Sequence, residues 1–192
     1  MFTIIQESIA ALPEYGTVSI AFTVSSRLRV ETIGHGLGGL ALTQERIEPP
    51  YRKDYDKDDD ERPMRWANRW DISNWGIFSA FDGTQRVGGA VVAWNTRDVW
   101  MLEDRTDLAV LWDIRIAEPY RQRGIGTQLF AHATEWARAR NCRMLKIETQ
   151  NINVAACHFY ARQECVLGGI RCWAYADYPD EVQLLWYRQL AG

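Results

Sequence analysis

The periodicity of the chain changes partway along it. In "DLAVLWDIRI", residues 107–116, apolar side chains recur at every second position. Leu108, Val110, Trp112, Ile114 and Ile116 share one face, and Asp113 and Arg115 fall on the other. From residue 125 the period lengthens to that of a helix, with Ile125, Leu129, Ala133, Trp136 and Ala137 on one stripe. A strand feeding an amphipathic helix is predicted, with Asn141, a residue that tolerates left-handed backbone, as the stop. Downstream, "RMLKIET" (143–149) predicts a strand and "VAACHFYARQ" (154–163) a second helix with Asn153 as N-cap. "LGGIRCWAY" and "EVQLLWYRQL" predict two closing strands.

Upstream, "SIAFTVSSRLRVE" (19–31) reads as a strand, and "ALTQERIE" (41–48) as a short helix stopped by Pro49-Pro50. Residues 51–63 are almost without apolar side chains and predict a loop or a poorly ordered stretch. Residues 75–95 form two apolar runs joined by Asp82-Gly83, a strong hairpin signal. An antiparallel hairpin ahead of a strand–helix–strand crossover predicts an α/β (α+β mixed) sheet with helices packed on it. No repeat or linker interrupts the 192 residues, so a single domain over 1–192 is expected, with an acidic loop, 49–64, inside it.

Composition narrows the function classes. A net charge of −3 argues against a nucleic-acid partner, which calls for a basic face. No apolar run is long enough to span a membrane. The first residues lack a basic region and carry Glu7, so no signal peptide is expected. Four cysteines without CxxC spacing point to reduced thiols in a cytoplasm rather than to zinc or a disulfide framework. The nine tryptophans are expected mostly in the core, some of them lining a pocket.

The candidate chemistry centres on "PYRQRGIGTQLF", residues 119–130. Glycines at a helix start let backbone N–H groups approach a phosphate, and the helix dipole favours an anion there. Arg121 and Arg123 add full charges; the plainer alternative is a helix start with two solvated arginines. No Lys-Ser/Thr follows the glycines, so Mg-nucleotide chemistry is not indicated and no metal is expected. A literal GxGxxG at 34–39 lacks a following helix and parallel strand, and is read as a flexible loop.

These residues carry a resemblance. "DIRIAEPYRQRGIGTQLFAHATEWA" is similar to the central motif of the GNAT superfamily of N-acetyltransferases, whose Arg/Gln-x-x-Gly-x-Gly/Ala pattern is matched by Arg121, Gly124 and Gly126. A strand, Asn153 and Tyr160 follow in family order, and the resemblance covers about residues 75–190. It implies a mostly antiparallel sheet splayed at a parallel strand pair, with helices on both faces, and acetyl-CoA as acetyl donor. It also implies that the backbone of Gln122, Arg123, Gly124, Ile125, Gly126 and Thr127 holds the pyrophosphate, and that Ile114, Arg115 and Ile116 pair with the pantetheine arm as an added strand. "LKIETQNINVAACHFYARQ", "YADYPDEVQLLWYRQL" and the acidic stretch narrow the resemblance to the streptothricin acetyltransferases, which acetylate the β-lysine amine of those antibiotics. Where many relatives have Gly-Phe after the second helix, this chain has Glu164-Cys165, so a turn of another shape is expected.

For an amine acceptor, mostly ammonium at neutral pH, the site must take one proton and return one to the departing thiolate. Tyr160 lies where the family places its general acid; the alternative is a core tyrosine. Asp113 and Glu148, each in a mostly apolar strand, are the candidate bases, and the alternative is a salt bridge with Arg115 or Lys146. Cys157 and His158 are adjacent on a helix and point apart, so they do not form a catalytic pair. The acidic run 54–61 reads as a solvated loop or as an attractor for a polycation. The expected partner is a small cationic amine. Acetylation of a peptide or protein, or a non-catalytic acetyl-CoA-binding module, are the competing readings. The oligomeric state is left open, a homodimer included.

Overall fold

The computed structural model describes residues 2–190. In chain order the elements are β1 (Thr3–Glu7), α1 (Leu12–Tyr15), β2 (Phe22–Thr32), β3 (Leu40–Lys53), α2 (Trp66–Arg69), β4 (Gly76–Asp82) and β5 (Gln85–Trp94). There follow β6 (Leu108–Ile116), α3 (Ile125–Arg138), β7 (Met144–Gln150), α4 (Val154–Arg162), β8 (Val166–Arg171) and β9 (Gln183–Gln189). They divide into two compact units.

The first unit comprises residues 2–21, 54–147 and 188–190. Its strands lie in the order β1-β4-β5-β6-β7. Neighbours are antiparallel apart from β6 and β7, whose parallel register runs from Leu108↔Met144 to Leu111↔Ile147. This is the mixed, mostly antiparallel sheet that the hairpin-then-crossover order predicts. Helix α3 packs on β4, β5 and β6 through Ile125, Leu129, Ala133, Trp136 and Ala137, the stripe read from the sequence, and all five are buried. The hairpin turn falls at Gly83-Thr84, since Asp82 pairs with Gln85. Asn141 takes the left-handed conformation past the end of α3. Strand β1, which the sequence reading passed over, pairs with β4 at the sheet edge.

The second unit comprises residues 22–53 and 148–187. It contains the long hairpin β2–β3, helix α4 packed on β2 and β8, and the antiparallel pair β8–β9. Here residues 41–48 depart from expectation. They are strand, not helix, and β3 continues through Pro49-Pro50. The prolines fit because the register jumps from Ser26↔Arg46 to Val24↔Tyr51, leaving 47–50 in an irregularity that asks no ladder N–H of them. The Gly34–Gly39 stretch is the tip of this hairpin, as a loop reading requires.

The turn after α4 also departs from expectation. Glu164 adopts the left-handed conformation (φ 58°) usually left to glycine. Cys165 N–H donates to the Tyr160 carbonyl at 3.0 Å, closing a Schellman-type cap. The shape is therefore kept despite the missing glycine, because the cap's hydrogen bonds offset the left-handed strain of about 1–2 kcal/mol.

The acidic segment is ordered. Asp54 and Asp58 accept from the backbone N–H groups of Asp56 and Asp60, forming two short turns. Asp59 pairs with Arg62 and Arg65, and Glu61 with Arg69. No helix of the described residues is long and apolar enough to cross a membrane.

Candidate active site

The turn between β6 and α3 has the backbone of an anion cradle. Gln122 and Gly124 both take positive φ, 62° and 81°, and Gly124 is the N-cap of the 14-residue α3. A Cβ built on Gly124 would meet nothing within 4 Å, so the space over the helix N-terminus is open. The backbone N–H groups of that first turn lie at the positive end of the helix dipole, where an anion is favoured. Gln122, Arg123, Gly124 and Thr127 are exposed, while Ile125 and Gly126 are buried and root the turn in the unit.

The two arginines divide their tasks. Arg121 Nε donates to the Ile116 carbonyl at 3.0 Å and a terminal nitrogen to the Ala21 carbonyl at 2.7 Å. Its charge braces the turn against the end of β6. Arg123 lies over the Tyr120 ring at 5.1 Å, exposed at the turn surface. The stretch Ile114, Arg115 and Ile116 pairs with β5 on one edge, through Ala90, Gly89 and Gly88. Its parallel pairing with β7 has already ended at Leu111, which leaves the other edge without a strand partner among the described residues. Such an edge can accept an extended amide-bearing chain.

Asp113 and Arg115 correct the simple alternation. The register moves from Val92↔Leu111 to Val91↔Asp113, so Trp112 is a bulge, and beyond it the charged face is the more buried one. Arg115 donates to both carboxylate oxygens of Asp113, at 2.9 and 2.7 Å, to Asp56 at 2.7 Å and to the Val18 carbonyl at 3.0 Å. The Tyr15 hydroxyl donates to Asp113 as well. Burial, then the Asp113 charge, push the Tyr15 phenol well up, so it stays a proton donor. Burial alone would lower the Arg115 value, but Asp113 outweighs it and the guanidinium is held charged. The salt bridge with Arg115 is thus the arrangement realised, and Asp56 ties the acidic segment to it. Gly89 makes it possible, because a Cβ there would stand 2.4 Å from the Tyr15 ring. Beside this network, Trp66, Trp70, Trp75 and Trp112 pack with ring centroids 5.0–6.4 Å apart.

In the second unit, Glu148 is half-buried and differently placed. Its Oε1 accepts from Tyr175 Oη at 2.6 Å and from Gln150 at 3.4 Å, and its Oε2 accepts from no described residue. Burial, then the Glu148 charge, raise the Tyr175 phenol, which therefore remains the donor of that bond. Asn153 caps α4 as expected, its side chain accepting from Ala156 N–H at 3.2 Å. Tyr160 is buried on the same helix, its ring 5.2 Å from that of Phe159. The partner named for the alternative reading, Lys146, pairs instead with Glu103 at 2.7 Å. Tyr15 and Tyr175, which hold the two candidate bases, were missed in the sequence, where neither stands in a motif. Among the described residues no group of three or more His, Cys, Asp or Glu side chains could hold a metal ion.

A parallel pair within a mostly antiparallel sheet, a strand edge left without a strand partner after a bulge and a glycine-capped turn at a helix N-terminus are the features on which the comparison with known proteins bears. The family model described as "Acetyltransferase (GNAT) family" matches residues 40–164. Streptothricin acetyltransferase A of Bacillus subtilis (strain 168) is 30% identical over 152 residues, 78% of this chain and 80% of that protein. A Bacillus anthracis structure named as a streptothricin acetyltransferase, in complex with acetyl coenzyme A, superposes with a TM-score of 0.75 at 27% identity, over 98% of this chain and 99% of that one. The crystal structure of nourseothricin acetyltransferase shares the fold, with a TM-score of 0.76 at 23% identity over 99% of both chains. The chain belongs to the GNAT family and is an acetyl-CoA-dependent acetyltransferase.

Gly124→Asp tests the cradle. The variant is expected to stay folded, since a Cβ at this position meets nothing within 4 Å and the left-handed strain is about 1–2 kcal/mol. A carboxylate set against the pyrophosphate and the loss of a charge-assisted bond worth about 1.5–3 kcal/mol should raise the acetyl-CoA Kd by roughly 30-fold or more in calorimetry. Gly124→Ala should lose much less. Equal affinity in a folded Gly124→Asp protein would place the pyrophosphate elsewhere.

Proposed function

We propose that the enzyme acetylates a primary amine of a compact polycation, the β-lysine amine of a streptothricin, by direct transfer in a ternary complex. Acetyl-CoA supplies an activated thioester. The backbone N–H groups of 122–127 hold its pyrophosphate, and the free edge of Ile114–Ile116 aligns its amide-bearing arm. Glu148 binds the acceptor ammonium and takes its proton, directly or through a water, which frees the nitrogen lone pair to attack the thioester carbonyl. The C–N bond forms as the C–S bond breaks, Tyr160 gives its proton to the departing sulfur, and the second proton shed by the nitrogen as the amide forms restores the Tyr160 phenol by way of solvent.

The contrast between the two carboxylates carries this assignment of the base. Both oxygens of Asp113 are taken by a buried arginine, whereas Glu148 has one oxygen held by a tyrosine that keeps its proton and one without a partner among the described residues. The family and the streptothricin acetyltransferases among its relatives support the substrate class.

Thiol release from acetyl-CoA, measured across streptothricin, polyamines, aminoglycosides and peptides, tests the reading. Streptothricin is expected to be turned over with the highest kcat/KM. In Glu148→Gln the pH–rate profile should lose its acidic limb. Clear turnover of peptides with none of streptothricin would assign the enzyme to peptide acetylation instead.

A further inference from the structure

The second unit contains a cavity of about 650 Å³ that none of the groups above lines. Its wall joins the end of β3, with Tyr51 and Lys53, to residues 177–181 ahead of β9. Five carboxylates and three cationic side chains line it. One contact within it shows what the wall can bind. The Lys53 ammonium lies 2.5 Å from a Glu181 carboxylate oxygen and 3.8 Å from the centroid of the Tyr178 ring. The two charged side chains are only 14% and 10% exposed, so this is a desolvated seat for a primary alkylammonium, made of a carboxylate and an aromatic face. Burial, then the Glu181 charge, raise the Tyr51 phenol, which lines the cavity as a neutral hydroxyl.

The surrounding charge favours a further cation. Asp177 and Asp180, beside Glu181, make no ion pair among the described residues. Asp177 and Asp180 therefore leave uncompensated negative charge at the cavity, beside the Glu181 seat.

We propose that this cavity is a subsite for a second primary ammonium of the acceptor, one that is not acetylated, with Glu181 and Tyr178 as its recognition pair and Lys53 as a resident cation that the incoming ammonium displaces. The proposal rests on the polycation reading above. A lysine on a flexible four-carbon stem can leave the seat, and one ammonium replaces another without leaving Glu181 unpaired. Lys53 then acts as a competitor built into the site. Its removal should strengthen acceptor binding, and loss of Glu181 should weaken it.

The test uses the full chain with Glu181→Gln, Tyr178→Ala and Lys53→Met. Tyr178 is 55% exposed, so its variant keeps the fold even if the others lose stability. Steady-state kinetics with streptothricin should show KM raised by about tenfold in Glu181→Gln and by several-fold in Tyr178→Ala, with kcat and the acetyl-CoA KM unchanged. In Lys53→Met the KM should fall. Calorimetry with 1,5-diaminopentane gives a readout independent of turnover, and its affinity should follow the same order. A purely structural ion pair would make Glu181→Gln and Lys53→Met change in the same direction, and that result, or equal KM and affinity in all variants, would overturn the subsite. Should streptothricin not be turned over at all, the acceptor reading fails, and the opposed diaminopentane affinities still decide whether the cavity seats an alkylammonium.

Discussion

Tyr160→Phe is expected to lower kcat by about 10²–10⁴ while the acetyl-CoA Kd changes little, the loss typical of removing a general acid. The ring stays the same size, so the burial of this side chain on α4 and its packing against Phe159 are kept. Only the hydroxyl group is lost, and a CoA thiolate must then leave unprotonated or take its proton from water. Stopped-flow thiol release should show the slowing in the chemical step itself, with substrate binding intact. The basic limb of the pH–rate profile should change too, because the residue that must remain protonated has gone. A variant with wild-type kcat would make Tyr160 a core tyrosine and require another proton donor.

Asp113→Asn is expected to cost about 3–5 kcal/mol of stability, because it removes one partner of a buried charge pair. The Arg115 side chain is 1% exposed and the Asp113 side chain 6%. Asp56 and the Val18 carbonyl still hold the guanidinium after the substitution, so the low end of that range is expected. Urea unfolding measures the change. The double variant Asp113→Asn/Arg115→Met should recover much of it, since the orphaned charge is then gone. The kinetics separate structure from chemistry. Per folded molecule, Asp113→Asn should retain most of kcat and the acidic limb of the pH–rate profile, whereas Glu148→Gln should lose both. An unchanged stability with a collapsed kcat would return the base to Asp113.

What could be read from the sequence was local. The β6-turn-α3 signal lies within about 30 residues, and its glycines, stripe and left-handed stop at Asn141 each depend on neighbours a few positions away. The Asn153 cap and the tight hairpin turn, which falls at Gly83-Thr84, are of the same kind. The misread parts depended on distant partners. Residues 41–48 have a fair helical composition, but pairing with β2 made them strand, and the irregularity at 47–50 absorbed the two prolines. At Glu164 the reverse holds, since cap hydrogen bonds kept a glycine-type turn without the glycine.

The sequence by itself therefore determined the glycine turn ahead of α3 and the helix carrying Tyr160, because each is written in contiguous spacing, and it carried the family resemblance that gave the class of enzyme. The tertiary structure decided the partners of the charged residues. Among 22 cationic and 25 anionic side chains, spacing does not say which will meet. Tyr15 reaches Asp113 from 98 positions away, Lys53 reaches Glu181 from 128, and Tyr175 reaches Glu148 from 27. Those pairings follow from which segments the folded sheet and its coverings bring into contact, and a buried charge takes its function from the partner it finds there.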